Sequence, residues 1–267
     1  MIKPREIQQK AREAGVRDQQ IEKDYVLSWI LKGVAQHEKL KQTIVFKGGT
    51  VLKKVYFEDY RYSEDLDFTL LESSITRVQI FEWFGEIFEY VKEEANIPLE
   101  IIDDNEHENG GINFYIGYTG PLGGQGSNKR VKIDVSRIEK LEFEPVLQPV
   151  FVGYSDIEEH DLLCYRLEEV LIEKLRSVMQ RMQARDFYDI WYLLEQHQMD
   201  IEFYKSEFAG KCAAKNLNSG DFPKKLAERL PGYRGRWQSS LAGQIHNLPS
   251  FEQVVREVNR HLRRVKF

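Results

Sequence analysis

The sequence predicts an α+β protein: a short mixed sheet flanked by helices and preceded by an N-terminal helical segment, followed by a C-terminal helical region. Three observations carry this expectation. Apolar residues recur at helical spacing in the first 40 residues and again over 75–95; β-branched and alternating runs fill 43–46, 65–70 and much of 99–135; and helical periodicity returns after residue 161. The expected division is a core over 1–160 and a helical domain over 161–267.

The elements follow in order. Ile21, Val26, Trp29, Ile30 and Val34 make one apolar stripe and place a helix over 18–36. Thr43-Ile44-Val45-Phe46 is a short strand ending at Lys47-Gly48-Gly49-Thr50, after which Val51, Leu52 and Val55 begin a helix; glycines between strand and helix mark a close backbone approach. Residues 65–70 alternate polar and apolar as a half-buried strand does, and 75–95 is helical through Ile80, Phe84, Ile87, Phe88 and Val91. Strands are expected at 99–102, 112–118 and 131–135, with a glycine-rich, mobile hairpin loop over 120–127 between the last two. From 161 to 196 the chain reads as helix, broken near Ala184-Arg185-Asp186, where Asp186 suits an N-cap. A Gly, Pro and Arg-rich loop over 231–237 precedes a last helix over 250–264.

Composition bounds the function. With 267 residues, 42% of them hydrophobic and 30% charged, the chain can bury the core of one large domain or two intimate ones. Its longest apolar stretches fall short of the roughly 18 residues of a membrane span, and Met1-Ile2-Lys3-Pro4-Arg5 opens no signal peptide, so a cytoplasmic protein is expected. Cys164 and Cys212 show no CxxC spacing, and the six histidines no HxxxH or HxH spacing, which disfavours disulfides, structural zinc and zinc hydrolase chemistry. No GxxxxGK[ST] occurs, which excludes a P-loop ATPase. The net charge of −5 divides into +8 over residues 204–267 and −13 elsewhere. A basic tail on an acidic body suits a polyanionic partner such as RNA, or an acidic protein; the plainer reading is a solvated surface.

The informative constellation is Lys47-Gly48-Gly49-Thr50, then Asp65-Leu66-Asp67, then Lys132-Ile133-Asp134-Val135. Residues two apart in a strand share a face, so Asp65 and Asp67 project together. If the strand of Asp134 lies beside them, three carboxylates converge into the hard oxygen environment that suits Mg²⁺ or Mn²⁺. In two-metal phosphoryl transfer, ions about 3.5–4 Å apart clamp the attacking oxygen and the leaving pyrophosphate. The Gly48-Gly49 turn lets backbone N–H groups and the Thr50 hydroxyl approach a triphosphate. Taken singly, Gly-Gly-Thr is an ordinary turn and Asp-x-Asp an exposed strand face; their conjunction in this order is what discriminates.

Farther along, Leu167, Leu171, Leu175, Val178 and Met182 form one helical stripe, with Lys174, Arg181 and Arg185 along its edge. Such a row can hold an incoming triphosphate, Arg by bidentate contacts and Lys as a point charge, or its members snorkel from the core boundary to water. Asp186 is a cap, a partner orienting Lys174 or Arg185, or a base for the acceptor hydroxyl. Ser63 is a further candidate phosphate contact. Phe187, Tyr188, Trp191 and Tyr192 read as helix core rather than a base-stacking platform.

The order glycine turn, Asp-x-Asp, late Asp resembles the polymerase-β-like nucleotidyltransferases. It is more similar still to the AbiEii toxins, through Ile21-Glu22-Lys23-Asp24-Tyr25, Phe46-Lys47-Gly48-Gly49-Thr50-Val51-Leu52, Arg61-Tyr62-Ser63-Glu64-Asp65-Leu66-Asp67-Phe68, Lys132-Ile133-Asp134-Val135-Ser136, Glu173-Lys174-Leu175 and Arg185-Asp186-Phe187-Tyr188-Asp189. The resemblance covers residues 21–194. It implies a polymerase-β-like core, with the site in a cleft between core and helical region. Asp65, Asp67 and Asp134 would hold the metal; Lys47, Gly48, Gly49, Thr50, Ser63, Lys174 and Arg185 would hold the nucleotide; and Lys174 and Asp186 would take part in catalysis. The implied reaction moves a nucleoside monophosphate from an NTP to an acceptor. A tRNA 3′ end is one acceptor class, and a separately encoded antitoxin would restrain the toxin. The alternatives are transfer to a small metabolite or antibiotic, and a catalytically idle nucleotide-binding module, against which the intact carboxylates argue.

Overall fold

The computed structural model describes residues 1–106, 110–124 and 129–267. Pro4, with φ fixed and no N–H to satisfy, starts α1 (Pro4–Ala14), and Gly15 at φ 64° ends it. α2 (Asp18–Gln36) takes the span its periodicity predicts and is buried on most sides. Gly33 is the reason it can lie so close to a neighbouring helix: a Cβ there would fall 2.5 Å from Ile87 Cγ2. The short α3 (Leu40–Thr43) leads into β1 (Ile44–Lys47), and α4 (Gly48–Val51) runs on into a π-helical turn, Leu52–Tyr56. After β2 (Asp65–Leu70) comes α5 (Arg77–Ala95), opened by a reciprocal Thr76/Gln79 capping box and closed by Asn96 at φ 55°. β3 (Leu99–Glu106), β4 (Ile112–Tyr118), β5 (Arg130–Ser136), β6 (Val146–Pro149) and β7 (Asp161–Cys164) complete a seven-stranded mixed sheet of order β3-β4-β5-β2-β1-β7-β6. The loop expected over 120–127 runs into residues 125–128, which lie outside the described residues.

The sheet has one apolar face and one polar face. Phe46, Leu66, Phe68, Phe114, Ile133 and Val135 are all buried, and Phe114 meets Phe81 and Phe84 of α5 at centroid distances of 5.2 and 5.0 Å. α2 packs against β5 and β7, and α5 against α2 and β3, so this face forms the core. The alternate residues of the same strands face the other way, and they include every carboxylate of the sequence constellation.

The chain divides into two compact units, Met1–Glu139 with Pro145–Tyr165, and Lys140–Glu144 with Arg166–Phe267. The whole sheet belongs to the first. The second contains α6 (Leu167–Gln180), α7 (Ala184–Trp191) with a π-helical extension Tyr192–Gln196, α8 (Lys205–Ala213), α9 (Phe222–Leu241) and α10 (Phe251–Leu262). Ser250 caps the start of α10, its side chain accepting from the Gln253 N–H. The core of this unit is aromatic. Phe187 stacks on Tyr233 at 5.5 Å and touches Trp237 and Phe251. This agrees with the reading of Phe187, Tyr188 and Trp191 as core, while Tyr192 is half-buried; Trp191 also donates to Glu257 at 2.7 Å.

Three sequence expectations are corrected. Residues 161–164, read as helix, form β7, because the flank of β1 offers a ladder: Phe46 pairs with Cys164, and the Tyr165 N–H donates to the Phe46 carbonyl at 3.0 Å. Residues 231–237, read as a loop from their glycines and proline, lie inside α9, because Phe222, Leu226, Tyr233, Trp237 and Leu241 bury one helical face and tertiary packing outweighs the local breakers. Asp186 is not an N-cap: Gln183 holds that position, and Asp186 sits in the first turn of α7.

Candidate active site

At the end of β1 the chain turns through Gly48 at φ +80°, which only glycine adopts cheaply. A Cβ at Gly48 would lie 2.1 Å from Asp67 Oδ2, so the turn packs directly on that carboxylate. Thr50 is buried, and its hydroxyl donates to the Asp65 carbonyl at 2.5 Å, fastening the helix start to β2. In this arrangement its one proton goes to the Asp65 carbonyl. Lys47 and Ser63 are also buried; the Lys47 ammonium lies 5.6 Å from the Tyr165 ring centroid, and the Ser63 carbonyl accepts from Gln20 at 3.4 Å. Tyr165 is itself held by Thr69, 2.7 Å between their hydroxyl oxygens.

Strand register assembles the carboxylates. Parallel pairing of β2 with β5 sets Asp67 opposite Asp134 and Asp65 opposite Lys132. Antiparallel β1 sets Lys47 opposite Asp67, and β4 sets Asn113 opposite Asp134 and Tyr115 opposite Lys132. Residues opposite one another on paired strands share a face, so Asp65, Asp67 and Asp134 stand together beside the glycine turn. Lys132, which the sequence offered only as a member of Lys-x-Asp, donates to both Asp134 oxygens at 2.9 and 2.7 Å. Burial works against its charge, but Asp134 and Asp65 outweigh that and hold its pKa above the usual lysine range. The signal was present: in a strand, i and i+2 are neighbours.

Among the described residues no three His, Cys, Asp or Glu side chains are drawn closely enough together to hold a metal ion as they stand. The donor set nevertheless fits a hard divalent cation, being three carboxylates and no nitrogen or sulfur, on one face, against a turn stripped of side chains. A separate recess of about 340 Å³ in the first unit is lined by Lys10, Asp24, Lys53, Lys54, Tyr62 and Tyr154, among others, and includes none of these carboxylates. Its floor is already neutralised, Asp24 accepting from Lys54 at 2.7 Å and Tyr154 at 2.8 Å. Glu22, fully buried, accepts from the Leu122 N–H at 2.7 Å and pairs with Lys129. Both acids therefore tie α2 to the chain around it.

In the second unit, the row expected from Lys174, Arg181 and Arg185 does not form. α6 ends at Gln180, Arg181 is extended, and Arg185 belongs to α7. Lys174 is instead buried between two carboxylates, 2.8 Å from Asp186 and 2.8 Å from Asp189. Arg181 Nε donates to Asp186 at 2.7 Å. Burial would raise the Asp186 pKa, but Lys174 and Arg181 prevail and hold it below the ordinary carboxylate range. Of the three readings of Asp186, the carboxylate has the contacts of a partner that orients Lys174. A further pair, Glu169 and Lys211, is fully buried at 2.6 Å; Glu169 also accepts from the N–H groups of Glu142 and Phe143, both at 2.9 Å, and Lys211 donates to the Lys140 carbonyl at 2.7 Å. No helix among the described residues is long and apolar enough to cross a membrane.

Among known proteins, residues 29–257 match the family model described as nucleotidyl transferase AbiEii toxin, type IV toxin-antitoxin system. Of solved structures, JHP933 from Helicobacter pylori superposes with a TM-score of 0.58 at 17% identity, covering 93% of this chain and 92% of that one. MenT4, a nucleotidyltransferase toxin from Mycobacterium tuberculosis, superposes with a TM-score of 0.54 at 15% identity, covering 99% and 97%. A search of curated proteins gave no significant match.

Proposed function

Because the chain belongs to the AbiEii family of nucleotidyltransferase toxins, we propose that it transfers a nucleoside monophosphate from an NTP to RNA, with a tRNA 3′ end as acceptor. In this reading Mg²⁺ or Mn²⁺ is held by Asp65, Asp67 and Asp134, and a separately encoded antitoxin restrains the enzyme in the cytoplasm. The observation that carries the reading is the strand register that sets Asp67 against Asp134, with Asp65 on the same face, next to the Gly48 turn.

Each residue has a task that its position suggests. A bound divalent cation would neutralise charge on the reacting phosphate and favour ionisation of the acceptor hydroxyl. Gly48 and Gly49 keep side chains out of the approach, so that backbone N–H groups at the helix start can meet phosphate oxygens. Thr50 holds that turn rigidly on β2 through the Asp65 carbonyl. Lys47 and Ser63 remain as further phosphate contacts beside the turn. In the second unit, Lys174 and Arg185 are assigned to phosphate, with Asp186 holding Lys174 in place. The RNA acceptor is supported by the second unit's basic end: Arg256, Arg263, Arg264 and Lys266 are exposed and have no ion-pair partner among the described residues. Such cations release counterions from a phosphate backbone and make binding salt-dependent.

The test is incubation of the purified protein with each labelled NTP, Mg²⁺ and total tRNA, beside the Asp65→Ala and Asp67→Ala variants. Label should pass to tRNA, vanish in both variants and fall as salt rises. Nucleotide binding with no label on RNA at any salt concentration would overturn the RNA acceptor and favour a small-molecule one.

A further inference from the structure

We propose that Lys132 is a built-in counter-cation of the acidic face, which must leave the Asp134 carboxylate before a divalent metal ion can be coordinated there. The inference rests on the reading of that face as the nucleotidyl-transfer site, and it assigns a function to a residue outside the carboxylate set.

The geometry is specific. Asp65, Asp67, Lys132 and Asp134 form a two-by-two block on adjacent strands, Asp65 beside Lys132 and Asp67 beside Asp134. Three negative charges share that block with one positive charge. The ammonium does not sit midway among them: it is bonded to both oxygens of Asp134, at 2.9 and 2.7 Å. A carboxylate so engaged offers a metal ion only the lone pairs the lysine leaves over, and two cations on one carboxylate repel each other. This agrees with the absence, among the described residues, of a ready three-ligand cluster on a face that carries three carboxylates.

A lysine is suited to such a post. Its charge is compact and its stem flexible, so it can be displaced without moving the strand. About 30% of its side chain is exposed, 29% against 31% for Asp134, so it has room to swing. Once off Asp134, the ammonium remains on the same face, with Asp65 across the strand pair and any phosphate bound above the carboxylates as its next partners. Metal loading and nucleotide binding are then linked: a triphosphate gives the displaced ammonium somewhere to go, and so tightens metal binding.

The experiment is titration of the full chain with Mn²⁺ alone, without nucleotide, followed by the electron paramagnetic resonance signal of free Mn²⁺. The variants are Lys132→Met, Lys132→Gln and Lys132→Arg, each checked for native unfolding behaviour. The two neutral variants should bind Mn²⁺ at least tenfold more tightly than the native chain, and Lys132→Arg should not. In an Asp134→Asn background, Lys132→Met should bring no gain over Asp134→Asn alone, whereas a general change of charge would bring the same gain there. A non-hydrolysable NTP analogue should tighten Mn²⁺ binding to the native chain more than to Lys132→Met. Equal Mn²⁺ affinity in the native chain and both neutral variants, or a gain that survives Asp134→Asn, overturns the inference while leaving the metal-dependent reading standing. Failure of every form to bind Mn²⁺ overturns both, and failure to label RNA touches neither result.

Discussion

Replacing Gly48 by alanine strikes the site through its backbone. At φ +80° a non-glycine residue pays about 1–2 kcal/mol for the left-handed region alone. The new methyl would also meet Asp67, 2.1 Å from Oδ2, 2.8 Å from Cγ and 2.9 Å from Cβ. Rotating the carboxylate clears the oxygen, but the Asp67 Cβ moves only with β2, so the overlap costs a further ~1–3 kcal/mol. The total is a loss of about 2–5 kcal/mol, together with a displaced Asp67 and a fall in transfer of about 100-fold for an error near 1 Å. Gly85 is the control: it lies on α5, where a Cβ meets nothing within 4 Å, and alanine there should stabilise the helix by ~1 kcal/mol. Urea unfolding followed by tryptophan fluorescence, with transfer measured on the same samples, reads both. If Gly48→Ala is as stable and active as the native chain, or if Gly85→Ala loses as much as Gly48→Ala, the account of the turn is wrong.

Two further outcomes follow from the second unit. Lys211→Met strands the fully buried Glu169 carboxylate and should cost about 3–5 kcal/mol in urea unfolding, with Glu169→Gln added in the same chain recovering part of the loss. Asp186, whose pKa is lowered by Lys174 and Arg181, contributes stability that is fully present above the unfolded carboxylate value of about 3.9 and is lost as pH falls through its lower folded value. Circular dichroism of acid unfolding should therefore show a steeper loss of stability below about pH 4 for the native chain than for Asp186→Asn, and equal slopes would refute the assignment.

The first unit was the more legible half, for a physical reason. Its strands are short and alternate cleanly, and a period of two places Asp65 with Asp67 and Lys132 with Asp134 before any fold is known. What periodicity could not supply was pairing. That β7 lies beside β1, and that Asp24 meets Lys54 and Tyr154 in a buried network, are contacts between distant segments with no local trace. In the second unit, local signals misled. Pro231 and its neighbouring glycines argued for a loop but are overruled by the aromatic face around Tyr233 and Trp237. The helical wheel through Lys174, Arg181 and Arg185 assumed a helix that stops at Gln180.

The order of strands in the sheet has a consequence for biosynthesis. A ribosome delivers β1 to β5 first, so the carboxylate face is built by the time Ser136 emerges, yet β1 keeps one flank bare until Asp161–Cys164 follows. At ~5–20 residues per second that interval lasts roughly one to six seconds. During it the nascent chain shows an apolar strand edge, the template on which chains join one another. A message cut short in this stretch would release a polypeptide with its acidic residues in register but an adhesive flank, on which further chains could pair.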